Sequence, residues 1–218
     1  MPFYLLLGLL ALLIAIGLIW RLASHRHTLP CPAWLRWMVE LDNPLASSNK
    51  AAFVVQQLQI APGMQVLDAG CGPGRITLPL ARAVGPQGRV LAVDLQPAML
   101  ELVRSKAHSE GLAQVQTQAA ALGHGKLPQG LFDRAVMAAV LGETPDRQAV
   151  LHDLFASLRP GGLLAVAELV FDPHFQRRSV VEQLARNAGF VSHAFYGHRA
   201  AYLLVLQRPG ESPENRTP

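Results

Sequence analysis

Hydrophobic positions divide the chain into two unlike parts. Residues 3–20, "FYLLLGLLALLIAIGLIW", are uniformly apolar and carry no charge. From residue 50 the apolar positions instead alternate between helical and extended spacing. "KAAFVVQQLQI" (50–60) has helical periodicity, and "PGMQVLDAG" (62–70) supplies a turn and a buried strand. "RITLPLARAVG" (75–85) reads as a helix stopped by Gly85-Pro86, with Pro79 out of place in its early turns. A strand (88–95), a helix capped by Gly111 (96–111), a weaker strand (113–119) and a stronger one (132–140) follow. "TPDRQAVLHDLFASLRPGG" (144–162) reads as a helix stopped by Pro160-Gly161-Gly162, with Thr144 or Asp146 as its cap. A strand (163–170), a helix (179–189) and two final strands (190–197 and 200–208) complete the series.

This alternation predicts an α/β fold, a doubly wound and mostly parallel sheet covered by helices on both faces. No helix separates the last two strands, so one must run antiparallel to the other. The uncharged run is 18 residues long, enough to span a hydrocarbon core of about 30 Å. It lacks both the basic start of a signal peptide and the polar face of an interfacial helix. It therefore predicts one amino-terminal transmembrane helix ahead of the sheet. Arg21, Arg26 and Arg36 follow it and no Lys or Arg precedes it, which places the later residues in the cytoplasm. The expected organisation is an anchor at 1–22, a juxtamembrane or interfacial segment at 23–49, a globular domain at 50–208 and a disordered tail at 209–218. All three tryptophans, Trp20, Trp34 and Trp37, lie in or beside the first two segments. Residues 29–41 could lie on the bilayer or pack on the domain.

Composition narrows the chemistry. Mean hydropathy is +0.23 and the formal net charge +4, which suits an anionic membrane surface better than a nucleic-acid groove. The two cysteines, Cys31 and Cys71, form neither a disulfide framework nor a Cys-x-x-Cys metal site.

The distinctive chemistry lies in "VLDAGCGPGR" (66–75). A glycine loop between the first strand and its helix is where open α/β sheets bind ligands. The dinucleotide fingerprint Gly-x-Gly-x-x-Gly fails here, because Arg75 stands where the third glycine belongs. Pro73 removes a backbone donor, and Asp68 would face a phosphate unfavourably. These features suit a ligand with an ammonium group and no phosphate.

The stretch "VLDAGCGPG" resembles the first motif of class I S-adenosylmethionine-dependent methyltransferases. "VLAVD", "FDRAV" and "LRPGG" are similar to later motifs of that family, and the resemblance runs from about residue 52 to 208. It implies that Asp68, Gly70, Cys71 and Gly72 meet the methionine part of S-adenosylmethionine. Asp94, 24 residues beyond Gly70, would accept hydrogen bonds from the ribose hydroxyls. Leu95 and Met99 would line the adenine slot, with backbone contacts at Ala120, and Val140 would also be cofactor-binding. Many relatives carry an acid after the third strand, where this chain has Ala119, Ala120 and Ala121.

A general base is needed only if the methyl acceptor arrives protonated. Glu143, after the fourth strand, and His174, after the fifth, are the candidates for catalysis, with Glu168 and Asp172 nearby. Glu143 could equally be a charge favourable to the following helix dipole. The expected function is that of a membrane-anchored methyltransferase acting on a lipophilic small molecule or a lipid, with the bilayer as partner and no metal. The alternatives are a cofactor-binding membrane protein without catalysis and an NAD(P)-dependent oxidoreductase.

Overall fold

The computed structural model describes Tyr4, Gly8 and residues 47–210. After a 3-10 turn at Ser47–Asn49 the elements run α1 (Ala51–Gln57), β1 (Gln65–Ala69), α2 (Thr77–Val84), β2 (Arg89–Asp94), α3 (Pro97–Ser109), β3 (Val115–Ala119) and β4 (Phe132–Ala138). A second 3-10 turn, Leu141–Glu143, leads to α4 (Arg147–Ser157), β5 (Leu158–Leu169), α5 (Arg178–Asn187), β6 (Val191–His198) and β7 (Ala201–Gln207). The seven strands form one sheet in the order β3-β2-β1-β4-β5-β7-β6. Strands β1 to β5 pair in parallel, and β7 is antiparallel to both β5 and β6. The doubly wound sheet and its reversed closing hairpin match the pattern expected from the sequence.

Local chemistry accounts for the elements. Pro79 falls in the first turn of α2, where backbone N–H groups have no helical partner, so it removes no bond. Pro97 opens α3 at its first position, and Gly111 just beyond that helix has φ 68°. Asp146 caps α4, its Oδ1 accepting from the Ala149 N–H at 2.9 Å. The carboxyl end of that helix differs from expectation. It stops at Ser157, and Pro160-Gly161-Gly162 lies inside β5 as an irregularity. The register with β4 jumps from Phe132↔Leu158 to Arg134↔Leu163, and Gly161 takes φ 81° to absorb the extra residues.

One apolar layer packs Leu67, Val93, Met137 and Val166 of the sheet against Val150, Leu154 and Val181 of α4 and α5. The opposite layer packs Val66, Val90, Val136 and Ala165 against Val54 of α1 and Leu80 and Val84 of α2. Both faces of the central strands are thus covered, which explains their almost continuous apolar runs.

The expected transmembrane helix is corrected by the structure. Among the described residues, no helix is long and apolar enough to cross a membrane. The longest of them, α3, has 13 residues, about 20 Å at 1.5 Å per residue. The buried apolar residues pack instead in the two layers that cover the sheet. The single-pass membrane localisation, the cytoplasmic placement inferred from it and the bilayer partner are withdrawn with the anchor. Apart from Tyr4 and Gly8, the 1–22 segment lies outside the described residues, as do residues 23–46 with Trp34 and Trp37, and 211–218 of the tail. Ser47–Asn49, at the end of the expected juxtamembrane segment, packs on β5, β6 and β7.

Candidate active site

The glycine loop leaves the carboxyl end of β1 through backbone that only glycine adopts readily. Gly70, Gly72 and Gly74 have φ of 78°, 50° and 92°. The N–H groups of Gly70 and Cys71 both donate to the Val93 carbonyl, at 2.8 and 2.9 Å, tying the loop to the end of β2. Asp94 secures it further: Oδ2 accepts from the Gly72 N–H at 2.9 Å, and Oδ1 from the Gln96 N–H at 2.8 Å. Lys106 of α3 donates to the Pro73 carbonyl at 2.9 Å. A Cβ at Gly70 would collide with the side chain of Val140, so the segment after β4 approaches the loop as closely as a glycine permits. Of the residues expected around adenine, Leu95 is 59% exposed while Met99 is buried. Ala120 is buried beside them, its N–H donating to the Asp94 carbonyl at 3.1 Å.

Asp68 does not stand at the mouth of the loop. It is 3% exposed and lies beneath it, accepting a 2.6 Å hydrogen bond from the Thr77 hydroxyl of α2. Burial pushes its carboxyl up to about 6, against the pull of Thr77 and Arg75, with Asp94 adding to the rise. Cys71 is buried too, and burial followed by the Asp68 and Asp94 carboxylates pushes its thiol up, away from the reactive thiolate. Arg75 reaches outward to donate to the Asn49 carbonyl at 2.8 Å.

A second group of polar residues gathers where β4 and β5 end. Ala139 takes φ 56°, a strained value for a residue with a side chain, and turns the chain into the Leu141–Glu143 turn. A Cβ on Gly142 would collide with the His174 backbone carbonyl, so this turn and the β5–α5 loop are pressed together. His174 is 5% exposed. Its Nδ1 lies 4.0 Å from Glu143 Oε1 and 3.8 Å from Asp172 Oδ1, and its backbone N–H donates to Asp172 Oδ1 at 2.7 Å. Glu143 lies outside α4, in the 3-10 turn that precedes it. Glu168 sits inside β5, 1% exposed. Burial pushes its carboxyl up to about 8; the Gln176 N–H opposes this, Asp172 adds to it, and weaker effects of Arg147 and Glu143 oppose each other. Among the described residues, no group of three or more His, Cys, Asp or Glu side chains could hold a metal ion.

The structure thus brings Gly70, Cys71, Gly72, Asp94, Leu95, Ala120 and Val140 around one loop, with Asp68 below it, and brings Glu143 and His174 together at the ends of β4 and β5. Thr77, Arg147, Gln176 and Tyr202 escaped the sequence reading. Each is brought to its group by tertiary packing, and only Thr77 had a local signal, a hydroxyl two residues beyond the loop arginine.

Residues 66–162 match the family model described as a methyltransferase domain. The chain is 31% identical over 168 residues to an arsenite methyltransferase of Aquipseudomonas alcaligenes, covering 72% of this chain and 46% of the relative. It is 35% identical over 119 residues to the ubiquinone/menaquinone biosynthesis C-methyltransferase UbiE of Vibrio vulnificus, covering 51% of this chain and 45% of the relative. It spans about a third to a half of the length of the curated relatives it matches. In fold it is similar to a SAM-dependent methyltransferase from Aquifex aeolicus, with a TM-score of 0.73 and 20% identity, covering 82% of this chain and all of that one. A SAM-dependent O-methyltransferase from Thermotoga maritima aligns with a TM-score of 0.60 and 17% identity over 79% of this chain and 68% of that one. The oxidoreductase alternative is overturned by the matched family model, and none of these findings supports a membrane-anchored form. Residues 66–162 thus match a methyltransferase domain, the chain has the fold of class I methyltransferases, and its cofactor is S-adenosylmethionine.

Proposed function

We propose that this chain transfers a methyl group from S-adenosylmethionine to a small-molecule acceptor whose nucleophilic atom arrives protonated. The bound cofactor supplies a methyl group already activated by a sulfonium. This chain's residues must hold it, align the acceptor, exclude water and take up a proton. The loop Gly70–Gly72 lets backbone approach the methionine part closely. The Asp94 oxygens each hold one backbone N–H and have lone pairs left for ribose hydroxyls. Asp68 offers negative charge beneath the loop to an ammonium group, and Leu95 an exposed apolar side chain to adenine. The 50–208 domain assignment belongs to this same reading.

The observation that carries the acceptor class is the acid and imidazole group of Glu143, Asp172 and His174 at the ends of β4 and β5. A phenol, enol or activated carbon acid needs such a group to accept its proton. A soft arsenic acceptor needs several thiolates instead. Of the two cysteines in this chain, Cys71 is buried with its thiol held protonated. Among the reactions named for the relatives, C-methylation therefore fits these residues better than arsenite methylation.

A panel of phenol, enol, quinol, amine and thiol acceptors and arsenite, scored by formation of S-adenosylhomocysteine, tests this. Turnover of a hydroxyl or carbon acceptor that falls at least tenfold in His174→Ala supports it. Turnover confined to arsenite or thiols overturns it.

A further inference from the structure

Glu168 is nine-tenths buried and more, yet one of its carboxyl oxygens has a clear task. Oε2 accepts from the Gln176 N–H at 3.0 Å. Gln176 in turn donates through Nε2 to the His174 carbonyl at 2.6 Å and accepts at its own carbonyl from the Tyr202 hydroxyl at 2.8 Å. The β5–α5 loop is therefore fastened at residue 176 to β5 and β7, with His174 held in the same set of bonds. The other direction leads to the cofactor loop. The Glu168 carbonyl accepts from Asn49 Nδ2 at 3.0 Å, and the Asn49 carbonyl accepts from Arg75 at 2.8 Å. Glu168 is thus the joint between the glycine loop and the loop carrying Asp172 and His174. Its Oε1 is buried without a hydrogen-bond partner.

We infer that Glu168 is a positioning residue whose carboxyl, through Gln176, clasps residues 170–176 onto the sheet and so holds His174 against Glu143 and Asp172 for proton transfer. This rests on the methyl-transfer reading for its consequence, not for its geometry. The groups facing Glu168 explain why neutrality matters. Asp172 from the loop and Glu143 from the 3-10 turn are acids, Arg147 of α4 is the facing cation, and Tyr202 of β7 is held protonated by burial. On α5, Arg178 and Glu182 pair with each other at 2.8 Å. Ionising Glu168 would put a third carboxylate beside Asp172 and Glu143, at a position that is itself 1% exposed. The carboxylate would draw water in, and the loop would lift.

The test uses the full chain and Glu168→Gln and Glu168→Ala, with hydrogen exchange across 170–176 measured at pH 7 and pH 9 and corrected for intrinsic exchange rates. Wild type should lose at least tenfold of its protection there on going to pH 9. Glu168→Gln should keep it at both, because the amide oxygen still accepts from Gln176 and cannot ionise. Glu168→Ala should lack it at both. In turnover, wild type should fall above pH 8, Glu168→Gln should not, and S-adenosylmethionine affinity should stay within about threefold in both variants. Wild-type protection that persists at pH 9, or a Glu168→Gln variant that opens with the wild type, overturns the clasp. Absence of any turnover or cofactor binding would count against the methyl-transfer reading, while the exchange measurement would still decide the clasp.

Discussion

At the scale of single residues, the site relies on Gly70 and Gly142, where a Cβ has no room. Alanine at Gly70 would sit at φ 78° and push Val140 away, costing at least about 1 kcal/mol from backbone strain alone. We expect Gly70→Ala to weaken S-adenosylmethionine binding at least tenfold, by calorimetry. Alanine at Gly142 would instead displace the His174 carbonyl. Gly142→Ala should leave cofactor affinity within about threefold while turnover drops, a split visible in binding and initial-rate measurements side by side. Glu168 carries a pH prediction. Burial pushes its carboxyl up to about 8 in the folded chain from an ordinary value of 4.5. Between those two values the unfolded chain gives up its proton and the folded chain keeps it, so stability falls as pH rises from about 4.5 to 8. Scanning Tm over that range should show a shallower decline in Glu168→Gln than in wild type. Residues of this kind were only partly legible in the sequence. The glycine loop and Asp94 could be read because their spacing along the chain is itself the signal. Asp68 could be named but not placed, since its burial depends on Thr77 and α2 folding over it.

At the scale of elements, the alternation of apolar patterns located the strands because both sheet faces are covered, leaving nearly continuous buried runs in β1, β2 and β4. The same reasoning failed at Ser157. Pro160-Gly161-Gly162 reads as a helix stop, yet the chain was already extended from Leu158, pairing with Phe132 across an irregular register. Helix periodicity cannot distinguish the last turn of α4 from a strand that continues its apolar run. The edges should differ from the centre in local stability: β3 and β6 are edge strands with largely unburied patterns, whereas β1, β4 and β5 are interior. Hydrogen exchange should be slowest in β4 and β5 and fastest, among strands, in β3 and β6. Equal protection across all seven would contradict the pairing order.

At the scale of the whole molecule, the site is a consequence of topology. Strand order reverses between β1 and β4, the switch point at which open α/β sheets bind ligands. The glycine loop and Asp94 line one side of it, and Val140 with the Leu141–Glu143 turn leads to the other. The apolar run at the amino terminus suggested a second layer of organisation, a membrane anchor. Hydropathy over a short window responds only to composition, and the described structure contains no helix long and apolar enough to cross a membrane. The most direct test of the account is a calorimetric titration of the full chain with S-adenosylmethionine, repeated on Asp94→Ala. We predict one site per chain and a loss of about tenfold to a hundredfold in the variant, the worth of about 1.5–3 kcal/mol for hydrogen bonds to a charged group. No heat of binding in the wild type, or equal affinity in Asp94→Ala, would contradict the assignment of this loop as the cofactor site.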